Sequence, residues 1–190
     1  MKEYIKKQIE LSIEIKKQCL DNSIVDLLHK IGHIIIDSLK DNKKIIIFGN
    51  GGSAADAQHI AAELIGRFEV ERAGLPAIAL SCNTSNITAI GNDYGFENIF
   101  SRQIEALGHN GDIAIGISTS GNSANIINAL EKSLHKGLIT FGFTGSSKCK
   151  MDEICDSVFH APSTITAKIQ ECHIMAGHII CGMIDRQINS

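Results

Sequence analysis

The stretch FGNGGSAADAQHIAAEL, residues Phe48–Leu64, is the part of the sequence that says most about the fold and the ligand site. The apolar run Ile45–Phe48 that leads into it has the length and branching of a buried strand. Gly49, Gly51 and Gly52 then allow a tight turn and a close approach of the backbone to a ligand. This part of the sequence predicts a strand followed by a ligand-binding turn.

The second half of the stretch predicts a helix that carries a paired imidazole and carboxylate. Ser53 is a favourable N-cap, and the alanine-rich residues behind it favour a helix. His59 and Glu63 stand four residues apart, so their side chains are neighbours on one helix face. Such spacing usually marks a surface ion pair, but this pair follows a glycine turn suited to a ligand. We therefore interpret turn and helix as half of an active site.

The composition limits the classes of protein to consider. The 190 residues fit a single domain, 1–190, with a helical arm at 1–40, and the 44% apolar and 21% charged residues are typical of a globular protein. The net charge of −3 gives no basic surface, so a nucleic-acid partner is not indicated. No signal-peptide core and no apolar run long enough for a bilayer are present in the sequence. Six cysteines without a C-x-x-C pair indicate reduced thiols and predict a cytoplasmic protein.

The rest of the chain alternates between apolar strands and helices. Two amphipathic helices, expected at 3–20 and 24–40, precede the first strand and are interpreted as a packing arm for an oligomer. Strands are expected at 44–48, 77–80, 113–117, 138–143 and 157–160. Helices are expected at 53–65, 84–91, 97–107, 123–136, 148–153 and 164–188. Continuous apolar strands separated by helices predict an α/β fold, with a five-stranded parallel sheet covered by helices on both faces.

Polar loops follow three of the predicted strands, and ligands of parallel sheets bind at such carboxyl ends. These loops are 49–53, 118–123 and 144–147. The second loop offers the hydroxyls of Ser118, Thr119, Ser120 and Ser123 together with the free N–H groups of a helix start. Those donors suit a phosphate monoester without any lysine. A serine-rich turn that only caps its helix is the alternative.

The spacing of Gly49, Gly51 and Ala54 also fits the fingerprint of a dinucleotide site. That fingerprint needs an acidic residue at the end of the second strand, where this chain has the residues 80–82, Leu-Ser-Cys. The spacing therefore gives little support to a dinucleotide.

The last predicted helix carries Gln170, His173 and His178 within an apolar stripe. Imidazoles in such a stripe are either hydrogen-bonded core residues or ligands. With His59 and Glu63 available, the set suits a mononuclear zinc site with nitrogen and oxygen ligands.

Asn92 and Asp93 add polar groups at a further loop. They suit sugar hydroxyls, although a plain Asn-Asp turn explains them equally well.

Four segments resemble the bacterial phosphoheptose isomerases of the sugar-isomerase (SIS) domain class, over about residues 40–185. The segments are FGNGGSAADAQHIAAEL, GNDYGFENIFSRQ, GDIAIGISTSGNSANII and KIQECHIMAGHII. The resemblance implies a flavodoxin-like three-layer sandwich, a homotetramer and one Zn²⁺ in each active site. It also implies interconversion of sedoheptulose 7-phosphate and D-glycero-D-manno-heptose 7-phosphate through an enediol. That reaction opens the synthesis of nucleotide-activated heptose for lipopolysaccharide or capsule.

The resemblance assigns roles residue by residue. The phosphate would be bound by Ser118, Thr119, Ser120 and Ser123, and the rest of the substrate by Asn50, Gly51, Gly52, Ser53, Asn92, Asp93 and Gln170. The metal ligands would be His59, Glu63, Gln170 and His178. Glu63 and His178 would also be the acid–base pair, since moving a proton between C1 and C2 needs a base near carbon and an acid near oxygen. Because a carboxylate held tightly by zinc is a poor base, Glu63 is left as base, ligand or both.

Two other functions are alternatives to the isomerase. The DnaA initiator-associating adaptor proteins resemble this chain in fold and in several sequence motifs, but they lack the catalytic pair that Glu63 and His178 supply here. A sugar-phosphate-sensing regulatory domain would come fused to another domain, for which no residues remain. The residues therefore favour the enzyme.

Gln170 and His178 lie eight residues apart on one predicted helix, which separates their backbones by about 12 Å along its axis. Ligands of one zinc ion lie only about 2.0–2.2 Å from it. If both residues bind one metal, they come from different subunits. The sequence therefore predicts active sites at a subunit interface.

Overall fold

A parallel five-stranded sheet forms the centre of the computed structural model, which describes residues 1–188. Its strands are β1 (Ile45–Gly49), β2 (Ala77–Ala79), β3 (Ile113–Ile117), β4 (Ile139–Thr144) and β5 (Ser157–His160). They lie in the order β2-β1-β3-β4-β5, with every neighbouring pair parallel. This is the flavodoxin-like order, whose ligand crevice lies where the winding reverses, between β1 and β3. The predicted fold class is confirmed.

Eight α-helices connect the described strands or precede and follow them. They are α1 (Lys2–Gln18), α2 (Asn22–Lys40), α3 (Gly52–Ile65), α4 (Thr84–Tyr94), α5 (Ser101–Leu107), α6 (Ala124–His135), α7 (Met151–Ile154) and α8 (Thr166–Gln187). A single 3-10 turn, Phe96–Asn98, separates α4 from α5. None of the helices within residues 1–188 combines the length and apolarity needed to cross a bilayer.

The sheet is buried on both faces, which explains why its strands are apolar throughout. Ile45 and Ile47 of β1 pack into a hydrophobic cluster with residues of α2, α3 and α8. Ile46 and Phe48, which alternate with them, pack into a second cluster with residues of α4, α5 and α6. Since successive side chains of a strand point to opposite faces, one apolar run supplies both clusters.

Several predicted helix limits differ from the structure, and two of these differences concern candidate site residues. Ser53 is not the N-cap of α3; the helix begins at Gly52, and Gly51, at φ 54°, is the N-cap. The positive φ of Gly51 turns the chain early, so Ser53 is already helical and is buried. The helix predicted to end at residue 91 continues to Tyr94, and Gly95, at φ 87°, ends it. Asn92 and Asp93 therefore lie in the last helical turn of α4.

The N-terminal helix α1 is held on α8 by a buried lysine. The ammonium of Lys168 donates to Ser12 Oγ at 2.6 Å, to the carbonyl of Gln8 at 3.3 Å and to Glu171 Oε1 at 2.9 Å. Four apolar side chains of α1, those of Tyr4, Ile5, Ile9 and Ile13, are about half exposed. The helix therefore presents an apolar face that this chain does not cover.

Candidate active site

A polar cavity of about 250 Å³ opens where β1 and β3 end. Seven of the residues that the sequence predicted to bind substrate line it: Asn50, Gly51, Ser53, Ser118, Thr119, Ser123 and Gln170. Thr166, in the first turn of α8, also lines the cavity. No sequence pattern pointed to Thr166, because its hydroxyl reaches the cavity only through the packing of α8 on the sheet.

The hydroxyls of the loop 118–123 converge. Ser118 Oγ lies 3.1 Å from Ser123 Oγ and 3.4 Å from Ser120 Oγ. Ser123 is the N-cap residue of the 12-residue helix α6, yet its side chain makes no capping hydrogen bond with the described residues. Its hydroxyl is therefore turned to the other serines, and the alternative of a simple capping turn loses its main support. Converging hydroxyls at a helix N-terminus are suited to a phosphate.

The backbone of the loop 118–123 packs closely against residues 149–150. Gly121 has φ 65°, and a Cβ atom there would lie 2.2 Å from Cys149 Sγ. The amide of Lys150 donates to Asn122 Oδ1 at 3.0 Å. The loop is thus set by close packing against residues 149–150.

Two amide side chains flank the cavity. Asn50 and Asn125 form a reciprocal pair, each amide donating to the other at 2.9 Å, and this fixes Asn50 after β1. The Gln170 side chain lies directly on Gly52, since a Cβ atom there would come within 2.4 Å of Gln170 Nε2. Gly52 is therefore required for the position of Gln170.

A second group of polar side chains lies further along the same two helices. His59 Nε2 is 3.1 Å from Glu63 Oε1 and 3.1 Å from His178 Nε2. One donor atom of each residue lies within 4.8 Å of the others, so the three residues form a group that is able to hold a metal ion. Two imidazole nitrogens and a carboxylate oxygen are a donor set that suits Zn²⁺. Three of the four predicted metal ligands are thus brought together in one chain.

Two further residues interact with this group, and no sequence pattern singled them out. The ring of Phe68 stacks on that of His178, with centroids 5.4 Å apart and planes inclined by 25°. Asp56 lies one turn before His59, and its Oδ2 atom is buried without a hydrogen-bond partner among the described residues. Burial raises the pKa of Asp56, while the nearby imidazoles of His59 and His178 lower it. The i, i+3 spacing of Asp56 and His59 was the available signal.

His173 is a core residue and not part of the group. It is fully buried, packs against Phe143 and Phe159, and its Nε2 lies 3.0 Å from the carbonyl of Thr144. Because a carbonyl only accepts, Nε2 carries the proton. Burial lowers the pKa of His173 to about 4, so the ring is neutral at pH 7.

The remaining predicted residues lie apart from the three-residue group. Gln170 and His178 are on one uninterrupted helix, α8, eight residues apart. Asn92 and Asp93 are exposed, and their side chains bond to each other at 2.7 Å. Within the part of the chain that the structure describes, neither residue lines the 250 Å³ cavity. A substrate-binding role for Asn92 and Asp93, and a metal-binding role for Gln170, stay predictions.

The comparisons with known proteins agree with this geometry. The profile of the SIS domain family matches residues 4–145. The phosphoheptose isomerase of Aneurinibacillus thermoaerophilus is 50% identical over 189 residues, which cover 99% of this chain and 96% of that protein. The structure of the phosphoheptose isomerase from Neisseria gonorrhoeae superposes with a TM-score of 0.92 at 39% identity, covering 97% of this chain and 98% of the other. That of a phosphoheptose isomerase from Francisella tularensis gives 0.93 at 35%, with the same coverage. The chain therefore belongs to the SIS domain family and, within it, to the phosphoheptose isomerases.

Proposed function

We propose that this chain interconverts sedoheptulose 7-phosphate and D-glycero-D-manno-heptose 7-phosphate through an enediol, in the cytoplasm. The main support for the proposal is that the polar cavity and the His59–Glu63–His178 group both lie along α3 and α8. The loop 118–123 supplies converging hydroxyls to the cavity, the starts of α3 and α8 line it, and later turns of these two helices carry the His59–Glu63–His178 group. Phosphate binding and proton transfer are thus provided on one framework.

The spacing along the helices suits a long substrate. Ser53 and His59 are six residues apart on α3, or about 9 Å along the axis, and Gln170 and His178 are about 12 Å apart on α8. A heptose 7-phosphate carries its reacting carbons, C1 and C2, at the end opposite to the phosphate. The hydroxyl loop therefore serves as the phosphate anchor and the three-residue group as the reaction centre.

The chemistry assigns each side chain a task. Glu63 removes a proton from C1 of the ketose and returns it to C2, and His178 donates a proton to the C2 oxygen and recovers one from the C1 hydroxyl. The donor set of His59, Glu63 and His178 fits Zn²⁺, and a bound ion would polarise the carbonyl. His59 lies between Glu63 and His178 at 3.1 Å from each, so it fixes their separation.

Glu63→Gln tests the assignment of the base, because it keeps the shape of the side chain and removes its basicity. We expect the variant to fold and to bind inorganic phosphate normally, and to lose at least about 100-fold in kcat with sedoheptulose 7-phosphate. Glu71→Gln is the matched control, since Glu71 is an 89% exposed carboxylate on the loop after α3. Retention of a tenth of the wild-type kcat by Glu63→Gln would rule out Glu63 as the base.

We further propose a homotetramer with active sites shared between subunits. The uncovered apolar face of α1 supplies a surface for a second copy of the chain. Gln170 lies too far along α8 from His178 to join the same metal, because α8 is continuous between them. Gln170 would therefore complete the group of a neighbouring subunit.

Mixed oligomers of Gln170→Ala and His178→Ala chains test the shared site. Each variant is expected to be inactive alone. In a two-fold-symmetric pair that contains one chain of each kind, one site carries both lesions and the other carries none, so purified mixed pairs should recover about half of the wild-type activity. Verified mixed oligomers without activity would show that sites are not shared in this way.

A further inference from the structure

A buried ion pair joins the end of α3 to the end of α8. Arg72 Nε donates to Asp185 Oδ1 at 2.7 Å, and the two side chains are 1% and 0% exposed. Arg72 belongs to the loop that follows α3, and Asp185 to the last turns of α8. The pair therefore links the two helices that carry the metal-binding group.

The guanidinium of Arg72 also holds the end of α3. It donates to the carbonyl of Glu63 at 2.9 Å and to that of Leu64 at 2.8 Å. The last carbonyls of a helix have no partner within the helix and carry its negative dipole end, so a cation there is doubly favourable. One of these two carbonyls belongs to Glu63 itself. The position of its backbone is thus set by Arg72.

The second oxygen of Asp185 holds the intervening loop. Asp185 Oδ2 accepts from the amides of Glu69 at 2.7 Å and Val70 at 3.0 Å. Burial raises the pKa of Asp185, but the hydrogen bonds from Arg72 and from these amides outweigh it and leave the pKa below its ordinary value. The residue just before the two amides is Phe68, whose ring stacks on His178. The same carboxylate thus fixes the loop that supports the His178 ring.

We propose that Arg72 and Asp185 are positioning residues, which set Glu63 and His178 at the separation that a bound Zn²⁺ requires. This inference rests on the proposed metal-binding role of His59, Glu63 and His178. Ligands of zinc lie at about 2.0–2.2 Å, so a small sliding of α3 against α8 moves at least one donor out of range. Outer residues that orient metal ligands typically change metal affinity by about 10- to 100-fold when they are substituted.

Three variants separate the parts of this arrangement. Asp185→Asn removes the charge that pairs with Arg72. Arg72→Lys keeps a cation near Asp185 but lacks the guanidinium group whose N–H donors reach the carbonyls of Glu63 and Leu64. Phe68→Leu removes the stacked ring and leaves the buried charges intact. Asp112→Asn is the matched control, because it also removes a buried carboxylate from an ion pair. Its partner is the partly exposed Lys44, and the pair lies next to the amino-terminal ends of β1 and β3, away from the group.

The measurement is the affinity of each purified full-length protein for Zn²⁺ in competition with a chromophoric chelator, at a temperature where circular dichroism shows it to be folded. We expect Asp185→Asn and Arg72→Lys to bind Zn²⁺ at least about tenfold more weakly than the wild type, Phe68→Leu to be weakened in the same direction, and Asp112→Asn to match the wild type within about twofold.

Wild-type affinity in Arg72→Lys and Phe68→Leu would overturn the inference, as would an equal loss in Asp112→Asn. If Asp185→Asn does not fold, the Zn²⁺ affinities of Arg72→Lys and Phe68→Leu are sufficient to test the inference. A wild-type protein that takes up no Zn²⁺ would instead overturn the metal site, and the inference with it.

Discussion

Replacing Gly52 by alanine should reduce catalysis without reducing stability. A Cβ atom at residue 52 would lie 2.4 Å from Nε2 and 2.9 Å from Cδ of Gln170, which are the far end of a flexible side chain. The backbone can therefore stay, and the Gln170 amide must move out of the cavity. A side chain pushed about 30° off its rotamer costs about 0.5–1.5 kcal/mol, and alanine gains up to about 1 kcal/mol over glycine in a helix. The two effects nearly cancel in the free energy of unfolding.

The loss in catalysis follows from the displaced amide. The displaced amide loses at least the one hydrogen bond that Gln170 is predicted to make to the substrate. That bond contributes about 0.5–1.5 kcal/mol, so kcat/KM should fall by at least about 2- to 13-fold. Isomerisation of sedoheptulose 7-phosphate and urea unfolding would be measured on the same preparation.

Gly49→Ala is the contrasting control for this experiment. A Cβ atom at residue 49 would lie 2.7 Å from the backbone oxygen of Ser53, which cannot rotate away. Gly49→Ala should therefore lose stability clearly. Wild-type kcat/KM in Gly52→Ala, or a loss of stability as large as that of Gly49→Ala, would refute the reasoning about Gln170.

Two further predictions concern the phosphate loop and the acid stability of the fold. Ser120→Ala and Ser123→Ala should each lose about 1.5–3 kcal/mol of binding free energy to a charged phosphate, so KM should rise while kcat stays nearly unchanged. A fall in kcat at saturating substrate with an unchanged KM would contradict the phosphate assignment. Burial raises the pKa of Asp112, but hydrogen bonds from Lys44 and from the amides of Lys44 and His109 outweigh it and leave the pKa below its ordinary 3.8. Because the folded pKa is lowered, this stabilisation is complete above pH 3.8 and is lost as the pH falls through the folded value. Asp112→Asn should therefore lower the free energy of unfolding at pH 7 by on the order of 1–3 kcal/mol, and its difference from the wild type in urea unfolding should shrink below about pH 4; a difference that does not change with pH would contradict the assignment.

The local pattern of the sequence was sufficient for the fold class and for much of the cavity. Apolar runs of strand length between helical segments predict a covered parallel sheet, because such strands must be buried on both faces. Glycines and hydroxyl residues directly after strands predict a ligand site, because the carboxyl ends of parallel strands share one edge. The neighbourhood of His59 and Glu63 follows from helix periodicity alone.

Tertiary packing decided the features that join distant residues. His59 and His178 are 119 positions apart, and they meet only because α3 and α8 pack side by side. The sequence offered both His173 and His178 as core residues or ligands. Five positions turn a helix by about 140°, so these two side chains leave α8 on different sides. His173 faces the aromatic core next to the sheet, and His178 faces His59. The start of α3 depended in the same way on the positive φ of Gly51, and the contacts of Phe68 and Arg72 depended on the packing of a loop against α8. Sequence periodicity specifies which face of a helix is apolar, but which neighbour that face meets is set by the packing of the whole chain.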